Sequence, residues 1–181
     1  MSDSYGILGK ESIMKPLLKL EGVVKKFGGL TAVKVTMGIM EGEIRSIVGP
    51  NGAGKTTIFN MISGLLMPTR GNIFFNGQNI TKWNPYSIAT LGIGRTFQVS
   101  RIFPRMTVIE NIMVGCHLTS NSSVFSVAMG LPNVQQEEEN IYAKSFEILH
   151  FLHLEDQANK LANFLPQGHE RLLEIGRVLA M

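Results

Sequence analysis

The stretch Gly49–Thr57, GPNGAGKTT, constrains the fold of this chain more than any other segment. It matches the pattern GxxxxGK[ST], in which glycines let the backbone curl so that its N–H groups point inward. Such a nest at the start of a helix binds phosphate, because several amides and the positive end of the helix converge on one anion. The motif needs a strand before it and a helix after it. IRSIVG at 44–49 predicts a buried apolar strand, and 57–65 predicts a helix with Leu65 on its apolar face.

Two side chains of this loop have predicted roles in phosphate chemistry. Lys55 is expected to reach the β and γ phosphates as a catalytic residue, and the Thr56 hydroxyl is expected to coordinate Mg²⁺. Thr57 offers a further hydroxyl. The predicted nucleotide contacts come from Gly49, Pro50, Asn51, Gly52, Ala53, Gly54, Lys55, Thr56 and Thr57. The loop by itself does not distinguish kinases, GTPases and ATPases, which share it.

Strands dominate the predicted first half of the chain and helices the second. Alternating runs predict strands over Leu17–Val24 and Ala32–Met40, and Asn76-Gly77 predicts a hairpin turn. Helical spacing predicts helices over 107–117, 135–152, a short piece near 155–163, and 170 to the end, the last with Leu172, Ile175 and Leu179 on one face. The fold class predicted is an α/β nucleotide-binding core with an antiparallel β region and a helical subdomain.

The predicted organisation has four parts. Residues 1–16 form a flexible N-terminal arm, and residues 17–98 form the nucleotide-binding core with its antiparallel β region. A helical subdomain spans 99–170, with a Ser-rich loop or insertion near 118–134. The last part, 171–181, is a helix.

Composition favours a folded protein without a membrane-spanning segment. Hydrophobic residues make up 44% of 181 residues, and no stretch approaches the roughly 20 apolar residues that such a helix needs. One cysteine fits a reducing compartment, so a cytoplasmic location is expected. The net charge is +3 with Lys and Arg scattered, so no nucleic-acid partner is expected. The four histidines lack metal-ligand spacing.

Two clusters outside the loop contain aromatic side chains. Arg101, Phe103 and Arg105 mix an aromatic ring with two guanidinium groups, which suits a groove for a protein partner, although ordinary surface charge is the alternative. The second cluster is Trp83 with Pro85 and Tyr86. It is interpreted as a loop packed on the sheet, with a binding cluster as the alternative.

Several segments, taken together with the phosphate loop, resemble the ATP-binding subunits of ABC transporters. In KKFGGLTAV, Phe27 matches the aromatic residue that this family stacks on adenine. In GIGRTFQ, Gln98 matches the family's glutamine that ligates the metal or positions water. The motif LPQGH partly matches the family signature LSGGQ, which would meet the nucleotide of a second copy. Its residues are Leu165, Pro166, Gln167, Gly168 and His169, of which only Leu165 and Gly168 are identical to the signature.

The phrases FGGLTAV, GPNGAGKTT and GIGRTFQ, with a proline in the signature, resemble the branched-chain amino acid importer branch in particular. Urea and related amide importers are close neighbours. The resemblance implies ATP and Mg²⁺ as cofactors, and transmembrane permease subunits and a second ATPase subunit as partners. It also implies a peripheral position on the cytoplasmic face of the inner membrane.

One part of the family pattern is not found. In this family an apolar strand ending in Asp-Glu and a switch histidine follow the signature helix, and neither occurs before Met181. The expectation is therefore a C-terminally truncated chain that binds nucleotide and turns it over hardly at all by itself. Two alternatives stay open. One is a non-transport ABC protein that acts on nucleic acid or ribosomes, and the other is a non-catalytic remnant.

Overall fold

A computed structural model describes residues 15–97, 101–116 and 132–181, and in the last range the side chains from 136 onward. The chain divides into two compact units, Met1–Trp83 and Asn84–Met181. Gln98 and most of the predicted insertion near 118–134 lie outside the described residues. The end of that insertion is described, and there Pro132 begins a helix where a loop was predicted.

The first unit contains an antiparallel sheet of four strands in the order β2-β1-β3-β4. The strands are β1 (Leu18–Phe27), β2 (Leu30–Ile39), β3 (Arg70–Phe75) and β4 (Gln78–Asn79). The hairpin predicted at Asn76-Gly77 is confirmed. Its two turn residues have φ values of 46° and 77°, the left-handed pair that two-residue hairpin turns require.

Helix α1 (Lys55–Ile62) follows the phosphate loop and buries Ile58, Met61 and Ile62, as its apolar spacing predicted. The predicted end at Leu65 is wrong, since that side chain is 51% exposed. The helix stops earlier because Gly64, with φ of 72°, turns the chain, and its N–H donates to the carbonyl of Met61.

The buried strand predicted at 44–49 is also wrong. These residues form no strand, and Ile44 and Val48 are 99% and 93% exposed. An apolar strand of this kind is stabilised by hydrogen bonds and burial from strands on both of its sides. Among the residues that the structure describes, none pairs with this segment.

The second unit is helical. Its helices are α2 (Pro85–Ala89), α3 (Val108–Cys116), α4 (Pro132–Phe151) and α5 (Gln167–Leu179), with 3-10 turns at Glu155–Gln157 and Ala162–Phe164. A reciprocal cap starts α3: Thr107 N–H donates to Glu110 Oε2 at 2.7 Å, and Glu110 N–H donates to Thr107 Oγ1 at 3.3 Å. The bond from the Thr107 backbone lowers the pKa of Glu110 from its ordinary value.

Helix α5 packs on α3 and α4 with a face one residue out of register with the prediction. The buried positions are Leu173, Glu174 and Gly176, with Ala180 just beyond the end of the helix. Of the predicted face, Leu172 is partly buried against the core, whereas Ile175 and Leu179 are 41% and 51% exposed. Close approach decides the register, because a Cβ at Gly176 would lie 2.7 Å from Leu152 Cδ1. Glycine therefore lets the helices meet at a distance that a larger residue would prevent.

Leu173→Ala should destabilise the chain by about 2–5 kcal/mol, because Leu173 is fully buried in the helical core and a cavity would remain. Leu179→Ala, at a half-exposed site of the same helix, should cost no more than about 0.5 kcal/mol. Urea unfolding followed by circular dichroism compares the two variants. Equal losses would contradict a register in which Leu173, and not Leu179, faces the core.

Gly54→Ala should destabilise the chain more than Gly52→Ala. Both glycines have φ near +80°, so alanine at either position costs about 1–2 kcal/mol of backbone strain. At Gly54 the new Cβ would also lie 2.6 Å from the Ala32 carbonyl oxygen, whereas at Gly52 it meets nothing within 4 Å. The collision should add about 1–3 kcal/mol in the same unfolding experiment. A Gly52→Ala variant as unstable as Gly54→Ala would refute this packing.

Candidate functional site

The loop Gly49–Gly54 folds back on itself before α1. Ala53 N–H donates to the Pro50 carbonyl at 3.2 Å, and Ile58 N–H donates to the Gly54 carbonyl at 3.0 Å. Gly54 caps α1 in the left-handed conformation, and no side chain caps the helix. The first amides of a helix lack partners within it, so an uncapped start is available to an anion.

Lys55 closes the mouth of this loop. Its Nζ donates to the carbonyl oxygens of Gly49 at 2.7 Å and Pro50 at 2.8 Å. The ammonium group is thereby held over the loop rather than extended into solvent. Both acceptors are neutral carbonyls, which a phosphate oxygen can replace with stronger, charge-assisted bonds.

The other loop residues predicted to contact nucleotide are accessible. Pro50, Asn51, Ala53 and Thr56 are exposed, and Thr57 is half-buried. Thr56 lies in the first turn of α1 beside Lys55. Its hydroxyl is a hard oxygen donor of the kind that Mg²⁺ accepts together with phosphate oxygens and water, so the residues present fit that ion.

Phe27 ends β1 and is half-exposed, with Lys25 Nζ 5.3 Å from the centre of its ring. It pairs with Leu30 across the turn, and Ala32 follows two residues along β2, about 7 Å further. Because Ala32 contacts the end of the phosphate loop at Gly54, the first unit brings the aromatic ring and the loop to the same end of β2.

The segment Leu165–His169 starts helix α5 in the second unit. Leu165 is buried in the helical core, while Pro166, Gln167 and Gly168 are exposed. No side chain caps this helix either. Gln157 Nε2 donates to His169 Nδ1 at 2.9 Å, so His169 is held by its own chain. The exposed part of the motif is therefore its middle, around Gly168.

Side chains of helix α5 also form hydrogen bonds with the backbone of Phe97 and Arg101, the described residues on either side of 98–100. Glu174 is buried, and its Oε1 accepts from Phe97 N–H at 2.9 Å. Arg177 Nη1 donates to the Arg101 carbonyl at 2.7 Å. Burial lowers the pKa of Arg177 from its ordinary value, and the charge of Glu174 opposes that shift.

Sequence reasoning missed Glu174, Arg177 and Asn111. Asn111 is fully buried in α3; its Oδ1 accepts from Phe103 N–H at 2.8 Å, and its Nδ2 donates to the Phe103 carbonyl at 3.0 Å. Buried polar side chains are normally hydrogen-bonded. A polar residue at a core position of a helix is therefore the signal that could have indicated Asn111. Glu174 and Arg177 gave no such signal, because the predicted apolar face of α5 did not include their positions.

The cluster Arg101, Phe103 and Arg105 is exposed, as the sequence indicated. The Arg177 guanidinium lies 5.2 Å from the centre of the Phe103 ring, and that of Arg101 lies 4.7 Å from the centre of the Phe97 ring. Each of these two pairs lies within the distance at which a cation attracts an aromatic ring. Over the described ranges there is no group of acidic, histidine or cysteine side chains suited to a metal ion, and no helix long and apolar enough to cross a membrane.

Comparison with known proteins extends these observations. The family profile described as ABC transporter matches residues 33–181. The chain is 38% identical over 166 residues to the high-affinity branched-chain amino acid transport ATP-binding protein LivG of Escherichia coli K12. The aligned region covers 91% of this chain and 65% of LivG. The chain is 36% identical over the same shares to BraF of Pseudomonas aeruginosa, a protein with the same description.

The similar solved structures are also ATP-binding cassettes. The ADP conformation of an ATP-binding cassette of an ABC transporter superposes with a TM-score of 0.73 at 35% identity, over 91% of this chain and 64% of that one. A dimeric post-hydrolysis cassette bound to ADP and Pi gives 0.72 at 28% identity, over 90% and 69%.

The chain thus spans about 65% of the length of LivG and BraF. Its profile match covers most of its residues, from the middle of β2 through α5, and includes the phosphate loop. The fold, with an antiparallel sheet, a phosphate loop that opens a helix, and a helical unit, is that of an ABC ATPase cassette. The chain belongs to the ABC transporter family.

Proposed function

We propose that this chain is the ATP-binding subunit of an ABC importer, which couples ATP binding and hydrolysis to uptake of branched-chain amino acids. The observation that carries the proposal is the closed loop Gly49–Gly54, with Lys55 held across its mouth. Because the chain matches the ABC transporter family, we infer that the ligand of this loop is ATP. The solute is inferred from LivG and BraF, whose names specify branched-chain amino acid transport.

In the proposed complex, the phosphates of ATP occupy the loop. The amides of Gly52, Gly54 and the first turn of α1 donate to the α and β phosphates, and Lys55 leaves its two carbonyl acceptors for β and γ oxygens. Phosphoryl transfer depends mainly on positioning and on neutralising charge, which defines the catalytic role of Lys55. Gln98 is proposed as a second catalytic residue on the basis of family resemblance alone.

Thr56 is proposed to hold Mg²⁺ through its hydroxyl, with Gln98 as a further ligand by resemblance. When bound, the ion neutralises charge on the β and γ phosphates. The exposure of the Thr56 side chain at the start of α1 supports this role. The adenine ring is proposed to stack on Phe27, whose exposed face lies at the end of β2 that contacts the loop.

The proposed partners are transmembrane permease subunits and a second ATPase subunit. The exposed middle of the signature, Gln167 and Gly168, supports contact with nucleotide on a second copy. The arginine and phenylalanine surface at Arg101–Arg105 supports docking of a cytoplasmic segment of the permease. These contacts would place the chain at the cytoplasmic face of the membrane.

Lys55→Ala should weaken binding of a fluorescent ATP analogue about ten- to a hundredfold. A hydrogen bond to a charged group contributes about 1.5–3 kcal/mol, which converts to that range. Lys160→Ala, which removes an exposed lysine of the second unit, is the matched control and should leave the affinity unchanged. Binding that is indifferent to Lys55 would exclude this loop as the phosphate site.

Phe27→Ala should weaken ATP binding about five- to a hundredfold, since stacking a base on an aromatic ring contributes about 1–3 kcal/mol. Phe27→Trp should preserve the affinity, because the flat face remains. Inorganic tripolyphosphate, which has no base, should bind wild type and Phe27→Ala equally well in calorimetric titrations. A loss of tripolyphosphate binding in Phe27→Ala would show that Phe27 acts through the loop instead of the base.

A further inference from the structure

A cleft of about 550 Å³ in the first unit contains none of the residues of the phosphate loop in its lining. This volume lies within the range of about 300–1,000 Å³ that is typical of small-molecule sites. The side chains that matter for its chemistry are polar, cationic or aromatic: Thr69, Arg70, Asn72, Asn79, Lys82 and Trp83.

One wall of the cleft forms because the chain continues alongside β3 after β4 ends. Ile80 N–H donates to the Ile73 carbonyl at 2.9 Å, and the Thr81 hydroxyl accepts from Ile73 N–H at 2.9 Å. The chain then turns at 81–82, where Trp83 N–H donates to the Ile80 carbonyl at 3.0 Å, and Lys82 and Trp83 line the cleft together with the start of β3. Arg70 and Asn72, two residues apart on that strand, share one face there.

The opposite wall is fixed to β1. Thr69 N–H donates to the Val24 carbonyl at 2.7 Å, and the Thr69 hydroxyl accepts from Lys26 N–H at 3.0 Å. Lys25 Nζ donates to the Met67 carbonyl at 2.8 Å. Hydrogen bonds to the sheet therefore hold both walls, and the cleft is preformed.

The lining of the cleft contains two cations, Arg70 and Lys82, and no acid. Glu21, which pairs with Asn72 across β1 and β3, forms an ion pair with Lys19. Neither Arg70 nor Lys82 forms an ion pair with any residue that the structure describes. The sequence has no Asp or Glu from Ile44 to Ile109, a stretch with seven basic residues: Arg45, Lys55, Arg70, Lys82, Arg95, Arg101 and Arg105. A concave site lined by charge of one sign concentrates ligands of the opposite sign.

Trp83 adds a flat aromatic surface to these cations. It is half-buried and lines the cleft, whereas Pro85 and Tyr86, the other two members of its sequence cluster, are exposed and do not line it. We propose that the cleft binds a small phosphorylated ligand with a planar ring, about the size of a nucleoside monophosphate. Arg70 and Lys82 hold the phosphate, the ring packs on Trp83, and the Asn72 and Asn79 amides bond to its polar edge.

The test uses the fluorescence of Trp83, which is the single tryptophan of the chain and so reports on this cleft directly. Titration with AMP should change its emission saturably. Arg70→Ala and Lys82→Ala should each weaken AMP binding about ten- to a hundredfold, because each removes a charged donor. Arg70→Lys should restore part of the affinity, and Lys34→Ala, at an exposed lysine of β2, should leave it unchanged.

Lys55→Ala separates this cleft from the phosphate loop. AMP should bind the Lys55→Ala variant and wild type equally, so the result does not depend on the proposed ATP site. No saturable change in emission, or weakening by Lys55→Ala as large as that by Arg70→Ala, would overturn the proposal. Inorganic phosphate that binds as tightly as AMP would overturn the role of the planar ring.

Discussion

The contact between the end of the phosphate loop and strand β2 is the constraint on which the proposed nucleotide site depends. Gly54 lies so close to Ala32 and Val33 that a Cβ would collide with both. Its left-handed conformation turns the chain from the loop into α1, and the uncapped amides of that helix then face the loop. Strand β2 is also paired with the end of β1, where Phe27 lies. The contact of Gly54 with β2 therefore sets the position of the loop relative to the ring of Phe27.

In the second unit, helix α5 combines packing with positioning. Gly176 lets it approach α3 and α4, and Leu173 fills the core. The same helix begins in the exposed part of the signature, and farther along it binds the backbone of Phe97 and Arg101. A rigid helix with these three attachments makes the arrangement of the signature depend on the packing of the core behind it.

Local patterns predicted the elements whose interactions are local. The turn at Asn76-Gly77 and the apolar spacing of α1 are cases in which the residues that determine the structure are adjacent or one helical turn apart. The predictions failed where distant contacts decide. The strand at 44–49 has no pairing partner in the described structure, and the face of α5 is set by the space that α3 and α4 leave. The domain boundary expected at 98 stays a prediction.

The sequence by itself determined the GxxxxGK[ST] motif and the family, because these depend on residue types at fixed spacing along the chain. Only the tertiary structure decided that Lys55 bonds the loop carbonyls, that Glu174 and Arg177 bind the backbone beside 98–100, and that Arg70, Lys82 and Trp83 line one cleft. Some of these arrangements join residues that are up to 77 positions apart in the sequence. The others depend on the path that the backbone takes through a turn. Side-chain spacing along a sequence contains no information about such distances until the backbone has folded.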